Sequence, residues 1–332
     1  MADLSTTYLG KKLKNPVIVG ANEYTANMDK IKQIEQAGAG ALVIKSLFEE
    51  QIQLESLKLQ EDLSKFAELN AEMTSIFPDL KHAGPEEHLM WVRKAKESVA
   101  IPVFASLNAI NPETWLEYSE LLAQTGVDGL ELNFYAVPVD FEKSAGEIET
   151  EQIKIIREIK SRVKLPISVK LSPFYTNPLH FIARLDQEKV DGLVLFNQLF
   201  QPDINPVKEK HIFPFNLSEK KDQRLPLRFS GLLSGNVQAD ICASTGIFDG
   251  ADVAKMLLAG ADVVQIVSTL YRNSIDHISL ILKDLEKWMN EKGYTRLDDF
   301  VGKLSQQNSQ DLWAYRRAQY VKLLLRSNPL AD

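Results

Sequence analysis

The sequence predicts a (β/α)8 barrel: one α/β domain over residues 1–332, with an N-terminal hairpin and a C-terminal helical tail over about 274–332. Three observations predict it. Eight short apolar runs recur along the chain, helical patterns fall between most of them, and glycines stand at helix ends just before strands. Alternating strands and helices call for a parallel sheet, and eight units favour closure into a barrel. An open doubly wound sheet would want a Gly-rich fingerprint after the first strand, which Val19-Gly-Ala-Asn22 does not supply.

Thr6-Thr-Tyr-Leu, Gly10-Lys-Lys and Leu13 read as the hairpin. The strands follow as Pro16–Gly20, Ala41–Lys45, Pro102–Ser106, Gly129–Asn133, Pro166–Lys170, Gly192–Phe196, Ala239–Ala243 and Asp262–Ile266. Asp29 is the expected cap of a first helix running to Gly38, with Ile31, Ile34 and Ala37 on one face. Further helices are expected over Glu86–Val99, Glu113–Thr125, Glu149–Val163, Pro178–Gln187 and Asp249–Leu258. Gly38, Gly126 and Gly260 supply left-handed helix ends. Two connections are long, Leu47–Gly84 and Gln198–Val237, and long loops on a barrel rim usually cover the site. Ile275–Lys292 is a strong amphipathic helix, and Tyr294–Leu325 reads as further helices that pack on the barrel.

The 38 basic and 45 acidic residues leave a net charge of −7, with no basic block, so a nucleic-acid partner is not expected. The single cysteine, Cys242, excludes an internal disulfide, and no Cys/His cluster has the spacing of a metal site. No signal peptide or membrane span is legible, so the expected location is the cytoplasm.

Strand ends of a barrel converge on one mouth. The residues there are Gly20, Lys45, Ser106, Asn108, Asn133, Lys170, Asn197, Thr245, Gly246, Ser268 and Thr269. One such Lys alone fits a structural ion pair, since buried Lys is rare unless paired. Two Lys and two Asn at four strand ends point instead to a ligand, offering many donors and little acid. That suits an electron-rich heterocycle with carbonyls, or an anion. Ser244-Thr-Gly246 and Ser268-Thr269 precede helices, where hydroxyls and free N–H groups hold phosphate or simply cap.

In Asn15-Pro16, Val43-Ile-Lys-Ser46, Glu131-Leu-Asn133, Val169-Lys-Leu-Ser-Pro173, Phe196-Asn197, Ser244-Thr-Gly-Ile247 and Leu258-Ala-Gly-Ala-Asp262 the chain resembles the dihydroorotate dehydrogenase family, in its soluble class-1 branch. The likeness covers roughly residues 5–303. It implies an FMN-dependent oxidoreductase of pyrimidine biosynthesis acting on a CH–CH bond of a small-molecule substrate. It further implies that Gly20, Ala21, Lys45, Ser46, Ser106, Asn108 and Asn133 line the flavin. Lys170 would stabilise the negative charge of the reduced ring. Thr245, Gly246, Ser268 and Thr269 would hold the phosphate, and Lys45, Asn133 and Asn197 would face the substrate. A homodimer and an unidentified electron-transfer partner are compatible with this reading.

The substrate side departs from the family. Its base is a Cys or Ser in an Asn-x-Ser-Cys-Pro-Asn pattern, whereas this chain has Asn133-Phe-Tyr-Ala-Val-Pro138. Ala136 stands at the base position and Pro138 replaces a substrate-binding Asn. Acid–base catalysis contributes about two to four orders of magnitude, so the substrate is expected to differ from dihydroorotate or to be turned over slowly. Tyr135, His88, His180 and His211 are neighbouring titratable groups, and none has the position of a replacement base. Two other readings remain in view: a non-catalytic or electron-carrying flavoprotein, which Ala136 favours, and a dihydrouridine-synthase-like RNA enzyme, which the charge disfavours.

Overall fold

In the computed structural model the eight strands hydrogen-bond in parallel and the last returns to the first, so the sheet is a closed barrel. The structure describes residues 2–54, 86–134, 140–198, 201–214, 217–311, 313–317 and 321. The hairpin is β1 (Thr6–Tyr8) and β2 (Lys11–Leu13). The barrel runs β3 (Val17–Val19), β4 (Ala41–Phe48), β5 (Val103–Asn108), β6 (Gly129–Phe134), β7 (Ile167–Leu171) and β8 (Gly192–Leu195). A small exposed hairpin, β9 (Asp203–Asn205) with β10 (Lys210–Ile212), then interrupts it. β11 (Asp240–Ser244) and β12 (Val263–Ile266) close the circle against β8 and β3.

Each strand is apolar on both faces because helices cover the outside and side chains fill the inside. The lower interior is packed by Ile18, Val43, Phe104, Val194, Cys242 and Val263, and the hairpin plugs it with Tyr8, Leu9 and Leu13. Tyr8 meets Phe104 edge to face at 5.7 Å. Gly192 is small for a reason, since a Cβ there would lie 2.7 Å from Leu9 Cδ2. The hairpin therefore seals the end opposite the strand-end residues.

The helices are α1 (Met28–Gln36), α2 (Glu86–Ser98), α3 (Pro112–Ala123), α4 (Ala145–Arg162), α5 (Pro178–Gln187), α6 (Arg224–Leu233), α7 (Gly250–Ala259), α8 (Ser268–Arg272) and α9 (His277–Lys292). Gly38, Gly126 and Gly260 have φ of +103°, +85° and +113°, as their places at helix ends require.

Four expectations need correction. The cap of α1 is Asn27, whose side chain accepts from Lys30 N, and Asp29 lies inside the first turn. α4 starts at Ala145, because Ser144 and Glu147 form a capping box upstream of the expected start at Glu149. α6 lies within what read as a loop, because Pro226 hid a helix that tolerates proline in its first turn. Beyond α9 the expected helices are absent among the described residues 294–311 and 313–317, which hold a short 3-10 turn (Leu297–Asp299) and turns. That tail still packs on the barrel's helices: Gly302 N donates to Leu257 O at 2.9 Å and Gln306 N to Gly231 O at 2.8 Å. Most of Leu47–Gly84, with Tyr135, Ala136, Pro138 and the end of the tail, lies outside the described residues. Among the described residues no helix is long and apolar enough to cross a membrane.

Candidate functional site

Most of the strand-end residues surround one cleft of about 260 Å³ at the barrel mouth, just below the usual ~300–1,000 Å³ for ligand sites. Lys45, Asn133, Lys170 and Asn197, which stand on different strand ends, all line it. Register explains the meeting: Asn133 pairs with Lys170 across β6 and β7, so both point to the same face. Alternation explains the rest. Glu131 lies two residues before Asn133 and so also points inward, while Leu130 and Leu132 pack outward in the main core.

Lys170 is the base of the cleft. Its Nζ lies 3.5 Å from Glu131 Oε1 and donates to Gln265 Oε1 at 3.2 Å. Gln265 Nε2 donates in turn to Glu131 Oε2 at 2.5 Å, closing a buried triangle. Gly20 does not reach the cleft; its role is to leave room, since a Cβ there would press on Gln265 Oε1 and Val267 Cγ2 at 3.0 Å. Lys45 is paired as well, 2.6 Å from Glu23 Oε1. The expectation of many donors and little acid is thus corrected, because each lysine of the cleft meets a carboxylate. Alternation from Asn133 could have found Glu131. Glu23 carried no signal.

Ser46 lines the cleft and its Oγ lies 2.7 Å from that of Ser106, which sits behind it. Asn197 Nδ2 donates to Asn133 Oδ1 at 3.1 Å. Asn108 is buried against the cleft, and its Nδ2 has no partner among the described residues. Ala21 and Asn22 form part of the wall, and Asn22 is held by donation to Gly20 O at 2.6 Å and acceptance from Tyr24 N at 2.7 Å.

On the far side, Ser244, Thr245, Gly246 and Ser268 line the cleft. Thr245 and Gly246 take φ of +84° and +77°, making a tight turn whose Thr245 hydroxyl donates to Phe196 O at 2.9 Å. Ser218, which the sequence did not single out, stitches this side together. Its Oγ accepts from Gly246 N at 3.2 Å and its N–H donates to Ser268 Oγ at 3.0 Å. Thr269 is fully buried away from the cleft, with its hydroxyl directed at Phe248 O, 3.4 Å away. Gln265, Ser218, Phe48 and Tyr271 are wall residues beyond those expected.

Among the described residues no histidine lines this wall. His180 and His211 are exposed. His88 is half-buried with its Nε2 unpartnered among the described residues, and its pKa is lowered to about 4 by burial and then by the charge of Lys45. Among the described residues no cluster of His, Cys, Asp or Glu could hold a metal.

A closed parallel barrel with a polar cleft at the C-terminal ends of its strands has the architecture of a (β/α)8-barrel enzyme, whose sites lie at that rim. A family model for dihydroorotate dehydrogenase matches residues 3–289, and the chain belongs to that family, whose members are flavin-dependent oxidoreductases acting on CH–CH bonds. It is similar to the catalytic subunit of dihydroorotate dehydrogenase B (NAD(+)) of Thermoplasma volcanium, at 28% identity over 91% of this chain and 98% of the relative. It is also similar to dihydroorotate dehydrogenase A (fumarate) of Lactococcus lactis subsp. cremoris, at 25% identity over 91% and 99%. A third relative is the chloroplastic dihydropyrimidine dehydrogenase (NADP(+)) of Arabidopsis thaliana, at 22% identity over 90% of this chain and 76% of the relative.

Proposed function

We propose that the cleft holds FMN and that the protein is an FMN-dependent oxidoreductase acting on dihydroorotate or a related small dihydro compound. The observation that carries this is the convergence of Lys45, Asn133, Lys170 and Asn197 on one cleft. The unpartnered Asn108 Nδ2 in the same wall fits a ring carbonyl, because a buried donor without an acceptor is costly. When bound, FMN accepts or returns the two electrons of the CH–CH bond. Lys170 provides a fixed cation where reduction places negative charge on the ring, and preorganisation by Glu131 and Gln265 means it need not reorient during the reaction. Ser46, Asn108 and Asn133 hold the ring, and Thr245, Gly246 and Ser268, braced by Ser218, hold the phosphate. Asn197 and Lys45 face the substrate. Gly20, Ser106 and Thr269 support this wall from behind.

Ala136 at the family's base position favours a second reading, a flavoprotein that carries electrons without oxidising dihydroorotate. Two of the relatives above differ in the acceptor that their names print, NAD(+) and fumarate. We propose that this chain, with one cysteine and so no iron–sulfur cluster of its own, passes electrons to a soluble acceptor or a separate protein.

The test is to purify the protein, look for bound flavin, reduce it anaerobically and follow reoxidation by orotate, fumarate, quinones and other pyrimidines. Yellow protein reoxidised by one of these is the expected result, with Lys170→Gln slowing turnover at least a hundredfold, as for loss of one preorganised electrostatic group. Colourless protein that takes up no FMN refutes the reading. Flavin that no small molecule reoxidises, but a partner protein does, establishes the electron-carrying alternative.

A further inference from the structure

We propose that the substrate of this cleft is an uncharged cyclic amide or ureide, without the ring carboxylate that dihydroorotate carries. The proposal rests on the reading of the cleft as a flavin site and narrows it to a substrate class.

The charges of the wall are already balanced. Among the described residues, Lys45 and Lys170 are its cations. Lys170 belongs to the buried triangle with Glu131 and Gln265. Lys45 is engaged by Glu23 at 2.6 Å. Glu23 is held in place on that wall by its backbone, with its side chain 59% exposed. It begins a short turn capped by Asn22, and its own N–H donates to Tyr271 Oη at 3.0 Å. The Tyr271 ring rests against Tyr24, 4.9 Å between centroids. A substrate carboxylate seeking Lys45 would therefore meet the like charge of Glu23 and have to displace it. An uncharged ring meets no such opposition.

The carboxamides supply what such a ring needs. Because Asn197 Nδ2 donates to Asn133 Oδ1, the two side chains leave Asn133 Nδ2 as a donor and Asn197 Oδ1 as an acceptor next to one another. That pair complements the C=O and N–H of one lactam or ureide edge. A site built to hydrogen-bond such an edge discriminates strongly, since its polar groups are otherwise unpaired.

The experiment uses the full-length FMN-loaded protein and two probes, uracil and orotate, which share the ring and differ by the carboxylate. Flavin uptake is read first from colour. Binding of each probe is then followed by the flavin spectrum and by calorimetry, for the native chain and for Glu23→Gln. Uracil should bind at least tenfold more tightly than orotate. Glu23→Gln should narrow that ratio about fivefold, the scale of a partly solvated ion pair. Orotate binding as tightly as uracil to the native protein overturns the proposal, as does a ratio unmoved by Glu23→Gln. Binding of neither probe also overturns it, since the carboxamide edge would then have no ring to recognise. Failure to take up flavin sinks the functional reading itself, and the colour of the protein separates that outcome from the others.

Discussion

Replacing Glu131 by Leu should cost the fold more than any other single change at the cleft. Lys170 and Glu131 side chains are 9% and 2% exposed, and their charged atoms are 3.5 Å apart. At an effective dielectric of ~20 that separation corresponds to about 5 kcal/mol of gross attraction. The variant would keep Lys170 buried with Gln265 Oε1 as its remaining partner, and Gln265 Nε2 would lose its acceptor. Removing one member of a buried pair typically costs ~3–5 kcal/mol, a large share of the ~5–15 kcal/mol that holds a protein together. The assay is urea unfolding of the flavin-free protein, which avoids stabilisation by ligand. With a slope of ~3 kcal/mol/M the midpoint should fall by roughly 1–1.7 M. Glu131→Leu with Lys170→Met, similar in volume and without charge, should recover most of the loss. The reasoning is refuted if the single variant stays within about 1 kcal/mol of the native protein, or if the double variant is no more stable than the single. The same logic means that Lys170→Ala would leave Glu131 buried without its cation, with Gln265 Nε2 as its remaining partner, whereas Lys170→Gln keeps a polar side chain at that position.

Other expectations follow from particular contacts. Asp262 accepts from Ile241 N at 2.7 Å, and burial first, then the charge of Asp240, raises its pKa from 3.8 to about 6. The folded protein binds this proton more tightly than the unfolded chain, so stability from this group is full below about pH 4 and lost as pH rises through about 6. The unfolding free energy of Asp262→Asn should lack that decline, and parallel pH profiles for the two proteins would refute it. Gly246→Ala puts a side chain at φ +77° and 2.4 Å from Gln223 N, so it should lose ~1–3 kcal/mol and weaken FMN at least tenfold. A normal melting temperature and affinity would show that the turn has slack. Glu49 is buried and accepts from Ile110 N at 2.6 Å, Asn111 N at 2.9 Å and Asn111 Nδ2, which pins the loop that follows Asn108. Glu49→Ala should cost ~1–3 kcal/mol and loosen flavin binding, checked by thermal melts and a flavin titration.

The sequence by itself determined the barrel and the polar groups offered at its rim. Eight short apolar runs, spaced by helical runs, leave few topologies, because parallel strands need crossovers and crossovers cover both faces of the sheet. It also marked Lys45, Asn133, Lys170 and Asn197 from local pattern alone, since a polar side chain ending an apolar strand needs a partner. Where local signals conflicted it fell short: Pro226 masked α6, and the segment after α9 shows helix-like apolar spacing but forms turns over residues 294–311 and 313–317, docked on Gly231 and Leu257. Only the tertiary structure decided the electrostatics of the cleft. Glu131 meets Gln265 across 134 positions of sequence, and Glu23 meets Lys45 through a turn braced by Tyr271, some 248 positions away. Barrel closure sets those distances, and charge interactions depend on distance in space, to which one-dimensional pattern is blind.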